Sequence, residues 1–303
     1  MKLMLDSGAH SLFNEYTRGK GRDFSFFESD VFWEFVDKYC AFLIENKENF
    51  DLYVSVDVIF NPELSWKVQK YMESKGLSPL PVFHVGEDFK WLKRYIDNYD
   101  YVGLGGLGQT TSKKNWIVGM GDPAFSMICD DKGMPRIKTH GFAMTSPDLV
   151  IQYPWFSVDS TSWFQFGKYG LIIVPKKKNG SFRYDESPHI ISVSSRKKRK
   201  ADAENFDHLP DMVKEYILEY IESKGLSMGK SELKSVAFDK KKPEFHLSDN
   251  EVSEEEIVIE EGVCNSMYVR DELNLQYYLD LEANIPPWPR PWKKKIKTTH
   301  FKL

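Results

Sequence analysis

The chain has 303 residues, 41% of them hydrophobic and 15% aromatic, with a formal net charge of -4, which suits one large domain or one domain with an appendage. Its three cysteines, Cys40, Cys129 and Cys264, are far apart and form no CxxC, so neither a disulfide framework nor a zinc ribbon is indicated. No run approaches the ~18 apolar residues of a membrane helix and the amino terminus has no apolar leader core, so a soluble cytoplasmic protein with no membrane partner is expected.

Short apolar runs alternate with amphipathic stretches through the first two thirds, as in βα units around a parallel sheet. The strand candidates are residues 2–6, 51–57, 80–85, 101–107, 136–142, 156–160, 171–174 and 190–193. Between them, Ser29-Asp30 starts a helix whose core face carries Phe32, Phe35, Val36, Tyr39, Phe42 and Leu43 at helical spacing. Asn61-Pro62 caps a second helix, and Gly86-Glu87-Asp88 opens a third. An amphipathic helix is expected over residues 207–224, stopped by Gly225. The tail, Ile285-Pro286-Pro287-Trp288-Pro289-Arg290-Pro291-Trp292, should be stiff and extended. Eight strands suggest a shortened TIM-like (β/α)8 barrel in the α/β class, with a core over residues 1–185. A basic and helical region, 186–303, would complete the barrel and contact nucleic acid.

Three of the runs carry a carboxylate at or next to their last residue: Asp6, Asp57 and Asp159. A strand that ends in an acid where the chain leaves the core is how such folds present catalytic groups at their carboxyl face. The short signals, in order, are Asp6-Ser7-Gly8-Ala9, Asp57, Val82-Phe83-His84, Gly103-Leu104-Gly105-Gly106-Leu107-Gly108, the stretch from Lys138 through His140-Gly141 to Leu149, and Phe156-Ser157-Val158-Asp159.

Together these motifs resemble the tRNA-guanine transglycosylase superfamily, in particular its compact phage-type members that insert 7-deazaguanines such as preQ0 into DNA. The resemblance covers roughly the first 170 residues. It implies Asp159 as nucleophile and Asp6 as general acid/base. It further implies Asp57 on the Watson–Crick edge of the base, with Gly105, Gly106 and Leu107 approaching it by their backbone, where glycine permits close approach. His10 stands where the family usually has a stacking aromatic, His84 where a Gln reads the base, and His140 where a Met covers it. The family's tRNA enzymes carry a Cys-rich zinc site after the nucleophile; only Cys264 lies in that region here, so no zinc, no other cofactor and no tRNA-docking subdomain are expected. DNA is the expected partner, tRNA the alternative.

Exchange of a base at C1′ needs an attacking group on one face of the sugar and a proton donor near the leaving purine, as in retaining glycosidases. Crowding of Asp6 by a second carboxylate and partial desolvation should raise its pKa. Phe60, Phe83, Phe142 and Trp163 are candidate walls for a flipped nucleotide. Arg196, Lys197, Lys198, Arg199 and Lys200 are candidate phosphate contacts, with Trp288 or Trp292 able to stack on a base.

Other readings stand beside this one. A strand-end Asp is often a turn or helix cap, and the glycine-rich stretch has a phosphate-loop look without an acid at the ribose position. His10, His84 and His140 could converge with Asp57 or Asp159 on a metal in a barrel hydrolase. The basic runs could be solvated faces, and the whole chain a non-catalytic nucleic-acid-binding protein.

Overall fold

Six short strands, each followed by helical chain, build the amino-terminal part of the computed structural model, which describes residues 3–17, 24–59, 61–106, 113–144, 146–195, 204–236 and 253–292. The elements run β1 (Met4–Leu5), α1 (Ala9–Thr17), α2 (Asp30–Asn46), β2 (Leu52–Tyr53), α3 (Pro62–Ser74), β3 (Val82–His84), α4 (Phe89–Asn98) and β4 (Tyr101–Gly105). They continue with α5 (Lys113–Trp116), α6 (Asp122–Ile128), β5 (Lys138–Gly141), α7 (Pro147–Gln152) and β6 (Ser157–Val158). A π-helical turn, Ile117–Gly121, joins α5 to α6.

The sequence signals explain the helix starts. The Ser29 hydroxyl accepts the Phe32 amide at 3.3 Å, Asn61 Oδ1 accepts the Leu64 amide at 3.1 Å ahead of Pro62, and Asp88 accepts the Lys90 amide at 2.9 Å. The buried face of α2 (Phe32, Val36, Tyr39, Cys40, Leu43) packs with Val56, Val58, Val68 and Met72 into one core cluster. Phe35 is only partly buried against that cluster, and Phe42, expected on the same face, is 44% exposed.

All ladders among β1–β6 are parallel. β1 pairs with β2, and β3–β4–β5–β6 form a four-stranded sheet in sequence order. A parallel bridge between Val54 and Leu80 joins the two, with the Leu80 amide on the Tyr53 carbonyl at 2.8 Å and the Ser55 amide on the Leu80 carbonyl at 3.0 Å. The fold is therefore mixed α/β with parallel sheets, and the described strands do not close into a barrel.

Two compact units divide the chain. Unit 1 is Met1–Ser160 with Pro287–Leu303, and unit 2 is Thr161–Pro286, so the boundary expected at residue 185 falls inside unit 2. From Pro287 onward the tail belongs to unit 1. Arg290 donates to the carbonyls of Val150 at 2.6 Å, Tyr153 at 2.7 Å and Ile151 at 2.9 Å, and Trp292 lies buried against Tyr153 and Phe125. Trp288 meets Phe156 edge to face. Trp292 is therefore part of an aromatic core and not a platform for a base, and the tail, expected to be extended, bends at Trp288-Pro289 and is held by the Arg290 hydrogen bonds and the Trp292 ring contacts.

Unit 2 contains α8 (Ser162–Lys168), β7 (Leu171–Val174), β8 (Lys176–Lys178), β9 (Ser181–Arg183), β10 (His189–Ser192), β11 (Glu204–Asn205), α9 (Asp211–Ser223), β12 (Lys230–Val236), β13 (Ser253–Glu260) and α10 (Met267–Asn284). Its core joins Ile172, Val174, Ile191 and Val193 to Ile217, Ile221 and Leu273. The seventh and eighth sequence-predicted strands are β7 and β10, paired antiparallel. The hairpin β8–β9 fills the connection where a parallel return would need a crossover helix. Asn179-Gly180, both with positive φ, makes its turn.

Candidate functional site

Parallel strands place all their carboxyl ends on one edge, and in unit 1 each of the six supplies a residue there. Asp6 follows β1, Asp57 lies beyond β2, His84 ends β3, Gly105 ends β4, His140 lies in β5, and Asp159 follows β6.

Asp6 is exposed, yet surrounding protein strips water from its carboxyl. That desolvation, reinforced by the negative charges of Asp57 and then Asp159, pushes its pKa up against the opposing hydrogen bonds from the Ser7 and Gly8 amides. The Ser7 amide bond is 2.8 Å. The same field reaches Tyr39, whose buried hydroxyl donates to the Val54 carbonyl at 3.0 Å and whose pKa is raised by burial and then by Asp6.

His84 sits between two carboxylates. Nε2 is 2.7 Å from Asp57 Oδ2 and Nδ1 is 3.2 Å from Glu87 Oε1, while Glu87 Oε2 accepts the His84 amide at 3.1 Å. Burial alone would lower the imidazole pKa; the hydrogen bonds and charges of Asp57 and Glu87 overcome it and raise the value to about 9. At neutral pH this ring is a cation with both N–H groups donated, and one Asp57 oxygen is committed to it.

His140 has different partners. Nδ1 lies 2.7 Å from Ser157 Oγ, which lies 2.5 Å from the Tyr101 hydroxyl, and Nε2 lies 3.2 Å from Asp159 Oδ1. The Ala143 amide donates to the same Asp159 oxygen at 2.9 Å. Ala143 has φ +50°, a left-handed conformation that costs a non-glycine residue roughly 1–3 kcal/mol and here aims an N–H at the carboxylate. Among the described residues Asp159 Oδ2 accepts no hydrogen bond, and the side chain is 48% exposed. Ser157, His140 and Asp159 have the composition of a hydrolase triad, but exposure runs the wrong way. The open end of the chain is the carboxylate, with the imidazole only 3% exposed behind it.

The glycines of β4 make room for rings. A Cβ on Gly105 would lie 2.9 Å from His84 Cδ2, and one on Gly103 would lie 2.5 Å from Phe142 Cε2. Gly106 has φ +87°, which a side chain rarely adopts. The spacing Gly103-x-Gly105-Gly106 thus has a packing cause.

Of the other expected residues, His10 lies in the first turn of α1, and Leu107 and Arg196, Lys197, Lys198, Arg199 and Lys200 lie outside the described residues, as does Phe60. Phe83 is fully buried against Phe89, on the opposite face of β3 from His84, so it walls no pocket here: neighbouring strand residues point to opposite faces. Phe142 does stand at the site, edge-on to His140 with centroids 4.5 Å apart. Trp163 belongs to unit 2. Sequence reasoning passed over Glu87, Ser157 and Tyr101. The available signals were Glu87 three residues after His84, and Ser157 two residues before Asp159 and so on the same strand face.

Both nitrogens of His84 and of His140 already face partners, so a metal could take either ring only by displacing them. Among the described residues no three His, Cys, Asp or Glu side chains are grouped as a metal requires. No described helix is long and apolar enough to cross a membrane. Comparison with protein-family models, with curated proteins and with solved structures found no match.

Proposed function

We propose that the chain is a base-exchange transglycosylase that replaces guanine in nucleic acid, preferably DNA, with a 7-deazaguanine such as preQ0, working in the cytoplasm. The observation that carries this reading is the unequal treatment of two strand-end carboxylates. Asp6 is pushed toward its protonated form, while Asp159 has one oxygen held by two donors and the other open.

That is the division of labour that double displacement at an anomeric carbon demands. Asp159 Oδ2 attacks C1′ as the C1′–N9 bond breaks, and Asp6 gives its proton to the departing guanine. The incoming base returns a proton to Asp6 as its nitrogen displaces the aspartyl ester, so the carboxyls end as they began. Asp57 would meet the base through the oxygen that His84 leaves free, beside the backbone of Gly105 and Gly106. In this reading β1–β6 are the first six strands of a shortened (β/α)8 barrel. The preference for DNA over tRNA rests on the sequence resemblance alone.

The test is incorporation of labelled guanine or preQ0 into duplex DNA and, separately, into tRNA, with wild type beside Asp159→Ala. Label in DNA that the variant abolishes supports the reading. Label only in tRNA moves the substrate, and no label in either from folded protein rejects the activity.

A further inference from the structure

The hydrogen-bond chain behind Asp159 has a direction. Asp159 Oδ1 already accepts the Ala143 amide at 2.9 Å, and an ionised carboxylate has only acceptors, so the His140 nitrogen facing it at 3.2 Å must carry a proton. A neutral imidazole then presents a lone pair at Nδ1, 2.7 Å from Ser157 Oγ, and the serine hydroxyl must donate into it. Ser157 in turn has a lone pair for the Tyr101 hydroxyl 2.5 Å away. Each group donates to the next: Tyr101 to Ser157, Ser157 to His140, His140 to Asp159. Reversing any link would set lone pair against lone pair beside a buried ring.

We propose that Ser157 and Tyr101 are positioning residues that hold His140 as the Nε2–H tautomer, so that His140 and the Ala143 amide fix one oxygen of Asp159 and leave the other aimed outward for reaction. The residues come from three adjacent strands. Tyr101 begins β4, His140 lies in β5, and Ser157 begins β6 with Asp159 just past its end, His140 being paired to Ser157 in the β5–β6 register. Parallel pairing thus sets Tyr101, His140 and Ser157 together, and the chain just beyond β5 and β6 supplies Ala143 and Asp159. Tyr101 is itself half-buried, and burial raises its pKa, which keeps its hydroxyl protonated as a donor. That Asp159 is the reacting group rests on the proposed transglycosylase reading; the relay and its direction rest only on the geometry.

Two readouts separate these. Two-bond ¹H–¹⁵N correlations distinguish the imidazole tautomers directly, and the His140 signals are assigned by their loss in His140→Gln. At about pH 8, above the ordinary histidine pKa of ~6.5, wild type is expected to show the proton on Nε2. Ser157→Ala should give a mixture of tautomers, and Ser157→Thr, which keeps the hydroxyl, should restore the wild-type pattern. Tyr101→Phe, which removes only the outer donor, serves if Ser157→Ala does not fold. A wild-type proton on Nδ1, or a tautomer ratio unmoved in whichever of Ser157→Ala and Tyr101→Phe folds, overturns the relay. In the exchange assay Ser157→Ala should lower kcat about 10- to 100-fold with KM little changed, the size found when a metal-bound histidine loses its outer hydrogen-bond partner, taken here by analogy. An unchanged kcat beside a scrambled tautomer overturns the positioning role. If wild type exchanges no base at all, the transglycosylase reading fails, and the spectra still decide the relay.

Discussion

His84 and His140 lie on opposite sides of β4, both almost fully buried, and differ in one partner. His84 has a carboxylate on each nitrogen and is held as a cation, whereas His140 has a carboxylate on one nitrogen and a serine hydroxyl on the other. A carboxylate can only accept, so two of them demand two protons; a hydroxyl can donate, so the second ring can pass hydrogen bonds in one direction. Residue type alone does not fix what a histidine does at a strand end. The neighbour on its far nitrogen does.

The strongest way to break this contrast is to convert the first environment toward the second. Glu87 is 2% exposed at its side chain, and Glu87→Ala leaves a buried imidazolium with one partner and the His84 amide with none. Loss of one member of a buried pair costs roughly 3–5 kcal/mol, to be read from the midpoint of urea unfolding. A loss well under 1 kcal/mol would show that His84 is not held as a cation. The pH dependence of stability probes the same ring without mutation. Because the folded pKa is raised, the contribution of His84 is fully present below the unfolded value of ~6.5 and is lost as pH rises through about 9. The expected fall is on the order of 3 kcal/mol. It should be absent in His84→Gln, and a wild-type stability flat from neutral pH to 10 would contradict the assignment.

A smaller effect sharpens the comparison from the β4 side. Gly105 has no Cβ to meet His84 Cδ2 at 2.9 Å and Val82 Cγ1 at 3.3 Å. Gly105→Ala should therefore cost roughly 1–3 kcal/mol, because the ring cannot move aside without lengthening its bonds to Asp57 and Glu87. Gly103→Ala meets Phe142 instead, a half-buried ring that is hydrogen-bonded to nothing and can turn. Loss of the alkaline transition in Gly105→Ala but not in Gly103→Ala is the expected pattern, and equal effects would deny Gly105 its link to His84.

Much of this arrangement was legible in the sequence because it is local. Strand-end acids at Asp6, Asp57 and Asp159 and the caps Ser29, Asn61 and Asp88 are set by alternation, turn chemistry and the unsatisfied amides of a helix start. What was not legible depends on partners far apart in the chain. Tyr101 and Ser157 are 56 residues apart and meet only through the registers of β4, β5 and β6. Trp292 reads as an exposed aromatic in a proline-rich tail until Arg290 ties that tail to the carbonyls ending α7. Likewise, β7 and β10 carry the apolar runs of barrel strands, and only the hairpin between them decides that they pair antiparallel.

The smallest effect, and the one most diagnostic of a site built for chemistry, is at Asp6. Desolvation and the charges of Asp57 and Asp159 raise its pKa, so the folded protein holds the proton more tightly than the unfolded chain does. Such a group favours the folded state below its unfolded value of ~3.9 and disfavours it increasingly as pH rises through the folded value. Above the unfolded value the raised pKa of Asp6 is therefore a liability to stability that Asp6→Asn should relieve, since asparagine keeps the shape and an acceptor for the Ser7 amide but has no charge to be repelled. Solvent access at this exposed residue keeps the gain small, so the sign is what counts: a higher Tm at pH 7, shrinking toward zero below pH 4, with base exchange abolished. A variant that is less stable at pH 7 would instead make Asp6 an ordinary turn residue, held for its hydrogen bond to Ser7 and not for a proton it can give away.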